Sequence, residues 1–243
     1  MLIRALHSEW KKSRWMQILT LLLAGAGFSV IIGGSSGRSY IPEGLDPWIW
    51  YYSLVAQFYS TLFYPILAGV TAALVCRYEH ERGGWKQLLA LPVSRTMIYL
   101  SKLILSAVIM ALAQIILLLM MLAGAFLFDV KGTIPWEIIL SGMISGWIAV
   151  LPLLALQLWV SSIWQSFALP LTLNIIFTIP AILIGQSATY GPYYPWAQPF
   201  IAMMKVDHYG ISIETNTLIY VIIGGFLIAL IGGLVTFHRR DWA

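Results

Sequence analysis

Residues 97–128 read MIYLSKLILSAVIMALAQIILLLMMLAGAFLF, and the single charge in that run, Lys102, lies near its start. A helix rising about 1.5 Å per residue would make this stretch about 48 Å long, against roughly 30 Å for the hydrocarbon core of a bilayer. It is therefore expected to cross a membrane, tilted or projecting beyond it. Working outward, further apolar runs occupy residues 15–32, 52–75, 138–162, 164–184 and 217–237. The uncharged stretch between Glu137 and Lys205 is too long for one crossing, and Ser161, Ser162 and Gln165 offer the expected turn within it. The reading is an all-α polytopic membrane protein with six transmembrane helices.

Composition agrees. Of 243 residues, 60% are hydrophobic and 10% charged, whereas soluble domains carry roughly 25% charged residues. The loops are short, so residues 1–243 are expected to form one transmembrane domain with no room for a catalytic ATPase or nuclease. The lone cysteine, Cys76, can form no internal disulfide. Residues 1–14 place Arg4, Lys11, Lys12 and Arg14 among Leu2, Ile3, Leu6 and Trp10, the pattern of an amphipathic helix lying on a membrane surface. The run that follows exceeds the 7–15 residues of a signal-peptide core, which favours a retained span.

Charge sets the expected orientation. Eleven of the fourteen Lys and Arg fall in residues 1–14, in residues 77–102, or at the C-terminus. The other three are Arg38, Lys131 and Lys205. The positive-inside rule then puts both termini and the second-to-third loop in the cytoplasm, which requires an even number of spans.

No catalytic constellation is legible. The span centres hold no Asp, Glu, Lys, Arg or His, which removes the usual vehicle of ion-coupled transport. His7, His80, His208 and His238 lie in loops or at span ends with no H-E-x-x-H, so no metal site is expected. Residues 33–39, GGSSGRS, lack the phosphate-loop spacing and read as a flexible turn leaving the first span.

The loop of residues 77–95, RYEHERGGWKQLLALPVSR, is the most informative. After Gly83 and Gly84, the residues Trp85, Leu88 and Leu89 form an i, i+3, i+4 apolar face and Pro92 stops the helix. Such a helix over residues 79–92 suits either of two roles: an anchor at the headgroups, or a docking element for a cytoplasmic partner.

This loop resembles that of the membrane subunit of type-two ABC exporters, especially the lantibiotic-immunity and related peptide-export permeases. The matching pattern is acidic Glu79 and Glu81, the turn Gly83 and Gly84, aromatic Trp85, the pair Leu88 and Leu89, then Pro92, Val93, Ser94 and Arg95, with Lys102 beyond. The resemblance extends over essentially the whole chain. It implies that residues 79–92 are a coupling helix received by a separate nucleotide-binding ATPase, with Glu79, Glu81, Gly83, Gly84, Trp85, Leu88, Leu89, Pro92 and Arg95 as its docking residues. ATP and Mg would then be held by the partner and no cofactor by this chain, which would be a non-catalytic subunit. It further implies a homodimer or heterodimer with a related permease in a bacterial cell membrane, with dimer contacts largely on the first and fifth spans, and export of an amphipathic substrate such as an antimicrobial peptide.

Polar residues within the spans are the candidates for a substrate path, foremost Gln114, Asn174 and Thr178, although interhelical hydrogen bonds explain most such residues. Pro170 and Pro180 are expected to bend the fifth span. Residues 185–216 are rich in aromatics, as in an interfacial belt, and two of them, Tyr193 and Trp196, join the candidates for the substrate path; the resemblance implies short helices dipping back into the membrane there. Small residues at Gly142 and Gly146, and at Gly225, Ala229 and Gly233, suit close helix packing within the subunit. A membrane scaffold or receptor docking a signalling protein is the competing function, and an ion-coupled carrier a third.

Overall fold

In the computed structural model residues 2–39, 41–80, 84–85, 93–204 and 215–240 are described, and every regular element among them is helical. Helix α1 (Leu2–Lys12) turns at Ser13 and Arg14 into α2 (Trp15–Ser39). The corner is held by the Trp15 indole, which donates to the Trp10 carbonyl at 2.9 Å.

Helix α2 corrects the reading of residues 33–39 as a turn, because the helix continues through GGSSGRS to Ser39. A side chain at Gly33 would strike the Val55 backbone at 2.7 Å, and one at Gly34 would enter the Phe128 ring. These glycines therefore serve close helix approach rather than chain reversal.

Helix α3 (Pro47–Phe58) starts on Asp46, whose carboxylate accepts from the Trp48 and Ile49 amides at 2.8 and 3.3 Å. Pro47 sits where its missing N–H costs nothing. A π-helical turn, Tyr59–Phe63, joins α3 to α4 (Tyr64–His80) in one continuous crossing. Pro65 supplies the cause: it removes the N–H that the fourth-preceding carbonyl would accept from, and the ladder slips by one residue just before it.

Helix α5 (Arg95–Leu127) is capped by Ser94, which accepts from the Met97 amide at 3.3 Å. A tight turn with left-handed Asp129 (φ 55°) and Gly132 (φ 105°) leads to α6 (Trp136–Ile163). The break at residues 164–167 confirms a reversal close to Ser162 and Gln165, and α7 (Ala168–Ile184) begins four residues later than expected. Pro170 consequently lies in the first turn of α7, where it needs no bend, whereas Pro180 is interior. Five helical runs are long and apolar enough to cross a membrane. Helix α7, at 17 residues, meets the lower limit for a sixth.

After α7 the chain makes a 3₁₀ turn at Gly191–Tyr193 and the short α8 (Gln198–Met203), then α9 (Thr215–Arg239) closes the fold. Helix α6 is the hub, packed against α4, α8 and α9, while α2 lies on α3 and α5. The stripes of small residues serve this packing. Gly142 receives the Tyr52 hydroxyl, Gly146 the Met203 side chain, Gly233 the Tyr99 hydroxyl, and Gly225 faces Pro152 at 3.6 Å. Helix α7 is peripheral and buries one stripe of Pro170, Asn174, Thr178 and Ala181.

Both described chain ends meet at one end of the bundle. Lys12 reaches Glu79, and the Arg95 guanidinium donates to the His238 carbonyl at 2.6 Å. An even number of crossings would bring the two ends together in this way.

Candidate functional site

At that shared end, four charged side chains from three helices close into a ring. The Lys102 ammonium, 1% exposed, donates to Glu9 and Glu79 at 2.7 Å each and to the Val75 carbonyl at 2.9 Å. All three of its N–H donors are thus used. Lys12 bridges the remaining oxygens of the same two carboxylates, at 3.3 Å from Glu9 and 3.1 Å from Glu79. Two ammoniums and two carboxylates leave the cluster electroneutral, the condition under which buried charges persist away from water.

The ring fastens α1 through Glu9, the foot of α4 through Glu79 and the foot of α5 through Lys102. Above it sits Trp85, only 5% exposed. Its ring lies 5.5 Å from the Lys102 ammonium and meets the Phe237 ring edge-on at 5.3 Å. Its indole N–H donates to His80 Nδ1 at 3.1 Å. Since Nδ1 accepts, His80 carries its proton on Nε2 and donates to the Ser161 carbonyl at 2.8 Å. Arg95 and Arg240 complete the face by donating to carbonyls at the ends of α9 and α6, where cations suit the helix dipole.

The docking residues expected from the sequence therefore divide. Glu79, Gly84, Trp85 and Arg95 are placed by contacts within the chain: Glu79 in the ring, Trp85 over it, Arg95 on α9. Gly84 packs so closely on α4 that a side chain there would meet Glu79 Cα at 2.8 Å. Glu81, Gly83, Leu88, Leu89 and Pro92 lie outside the described residues. Glu9 was not singled out from sequence and Lys12 was read only as a charge of the N-terminal helix, because their partners are far away in the chain and only α1's return to the bundle brings them near.

A second polar group lies inside the bundle. Asn174 donates to the Pro65 carbonyl at 2.9 Å and accepts from Gln157 at 3.0 Å and from the Trp196 indole at 2.8 Å. Thr178 donates to the Asn174 carbonyl at 2.7 Å. Gly69 leaves the space that the Asn174 amide fills. Gln114 approaches the Met203 sulfur at 3.7 Å, and Tyr52 donates to the Met203 carbonyl at 3.0 Å. Four of the five path candidates, Gln114, Asn174, Thr178 and Trp196, thus line the seat of the α7–α8 segment. Tyr193 stands apart, 64% exposed. Asn174 is buried six residues, about 9 Å of helix, from the N-terminus of α7 and ten residues from its C-terminus.

Among the described residues no cluster of three or more His, Cys, Asp or Glu could hold a metal. Residues 5–181 match the family model described as ABC-2 family transporter protein. No curated protein matches the chain.

Proposed function

The chain belongs to the ABC-2 transporter family, and from that premise we propose that it is the permease subunit of an exporter powered by a separate cytoplasmic ATPase. As a family member it is a non-catalytic, multi-pass membrane component that works with ATP-binding subunits. In the proposed complex, ATP and Mg are bound by those partners, and both termini and the α4–α5 loop face the cytoplasm. Two permease chains, identical or related, form the membrane unit in a bacterial cell membrane. The exported substrate is amphipathic, such as an antimicrobial peptide.

The observation that carries the coupling is the ion ring beneath Trp85. A push on the α4–α5 loop reaches Trp85, which rests on Lys102 and Phe237. The ring cannot yield by parting its charges, since an uncompensated buried charge costs about 3–5 kcal/mol. Movement of the loop is therefore passed to α1 and α5 as a unit. Trp85, Glu79 and Lys102 act as positioning residues in this scheme, and residues 81–92 supply the surface the ATPase receives.

Co-expression of candidate ATP-binding subunits with the wild type and with the Trp85→Ala, Leu88→Ala double variant tests this docking. Weaker capture and loss of permease-stimulated ATP turnover are expected from the variant, with its melting temperature measured in parallel because Trp85 is buried. Equal capture and equal turnover would overturn the docking claim.

A further inference from the structure

Helix α1 faces two neighbours. Glu9, the single acid of residues 1–14, is buried in the ion ring, so the remainder of the helix carries no negative charge. At 3.6 residues per turn, Ile3 and Trp10 fall together on one flank and Arg4 and Lys11 on the next, both away from Glu9. Both flanks are open: Ile3 is 84% and Trp10 45% exposed, and Arg4, Lys11 and Arg14 are exposed with them. None of these three cationic groups makes an ion pair or hydrogen bond among the described residues.

The first span starts immediately beyond this helix, at Trp15, and the Trp10 and Trp15 rings pack with their centres 4.1 Å apart. Trp10 therefore sits where the chain enters the bilayer, at the headgroup level that suits an indole. Exposed Ile3 and Trp10 beside unpaired cations complement an anionic lipid surface. The same helix supplies Glu9 and Lys12, half the charges of the ion ring, and so bears on Lys102 and Glu79 beneath Trp85. We propose that α1 docks on the anionic lipid surface of the adjacent leaflet and that this docking tightens the ion ring, so that leaflet charge regulates the support of Trp85. In the exporter reading, on which this last step rests, the permease then couples more firmly to its ATPase in an anionic membrane.

Each basic residue near an anionic surface contributes about five-fold, so the three together favour docking by about a hundred-fold. The test is amide hydrogen exchange of the full chain in nanodiscs of phosphatidylcholine alone or mixed with phosphatidylglycerol. Residues 5–12 are expected to exchange more slowly in the anionic discs, by up to that factor, and residues 76–80 at the foot of α4 to slow with them. The exposed triple variant Arg4→Gln, Lys11→Gln, Arg14→Gln should exchange alike in both lipids, whereas Arg38→Gln, at the opposite end, keeps the wild-type response. Glu9→Gln should keep the slowing in α1 and lose it at the foot of α4. Salt at about 1 M, which screens charges beyond about 3 Å, should erase the difference. Equal exchange of residues 5–12 in the two lipids would overturn the docking, and a response confined to α1 in the wild type would overturn the relay to the ring. A response to phosphatidylglycerol but not to phosphatidylserine would overturn the proposal as well, by assigning α1 to one specific headgroup. Because the discs present the same lipid on both sides and contain no ATPase, this outcome is separate from any failure of the exporter reading.

Discussion

Lys102 illustrates how a residue's weight depends on neighbours that a sequence does not display. In the sequence it is one more basic residue supporting orientation and the last residue of the family-like loop pattern; in the fold it is saturated by Glu9, Glu79 and the Val75 carbonyl. Lys102→Met should lower stability by about 3–5 kcal/mol, because two carboxylates then stay buried with only Lys12 to share, leaving one negative charge uncompensated. Lys131→Met provides the contrast, since its pair with Asp129 is exposed on both sides and such pairs contribute about 0–1 kcal/mol. Thermal unfolding in one detergent distinguishes the two: a large drop for the first and little change for the second. The sequence reading attached Glu79 to a partner protein through family resemblance. It had no signal for Glu9, whose contact with Lys102 spans most of the first hundred residues.

Elements were more legible than side-chain partners, because an apolar run long enough for a bilayer leaves few alternatives. The runs, the reversal near Ser162 and Gln165, and the packing use of Gly142, Gly146 and Gly233 all follow from pattern. Residues 33–39 show the limit of pattern. Glycine and serine suit a turn by propensity, yet α2 continues through them because Val55 and Phe128 need the space. Gly34→Leu should therefore displace α2 from Phe128 and lower the melting temperature, whereas a true turn would tolerate the change. The π-turn at Tyr59–Phe63 was equally hidden, though Pro65 was its available signal.

The α7–α8 segment makes a further prediction at this scale. Asn174→Ala removes the acceptor shared by Gln157 and Trp196 and the donor to Pro65. Leaving buried polar groups unmatched costs about 1–3 kcal/mol each. Faster hydrogen exchange is expected across residues 191–204, with the amides of α9 little changed. Equal exchange in that segment would mean that Asn174 does not hold it in place.

For the whole molecule, contacts between the described chain ends place them at one end of the bundle, and the positive-inside rule predicts that this basic end faces the cytoplasm. Because Cys76 is the only cysteine and is buried, single reporters can test that orientation cleanly. Ser8→Cys should react with an impermeant maleimide only from the cytoplasmic side and Lys131→Cys only from the outside. The opposite labelling pattern would reverse the topology and place the α4–α5 loop out of reach of any cytoplasmic ATPase.

The scarcity of charge within the spans has a corresponding energetic meaning. The buried charges near the shared end are neutralised among themselves, and the interior beyond them relies on amides, hydroxyls and indoles. Among the described residues the centre of the bundle has structural polar contacts but no carboxylate to carry an ion, and the proposed function takes its drive from a partner chain. The most direct test is transport by inside-out sealed vesicles containing the permease and its ATP-binding subunits, supplied with a fluorescent amphipathic peptide. The account predicts accumulation that requires hydrolysable ATP and persists when proton and sodium gradients are collapsed. Accumulation that follows an ion gradient without ATP, or no ATP-dependent movement of any substrate offered to the intact complex, would contradict it.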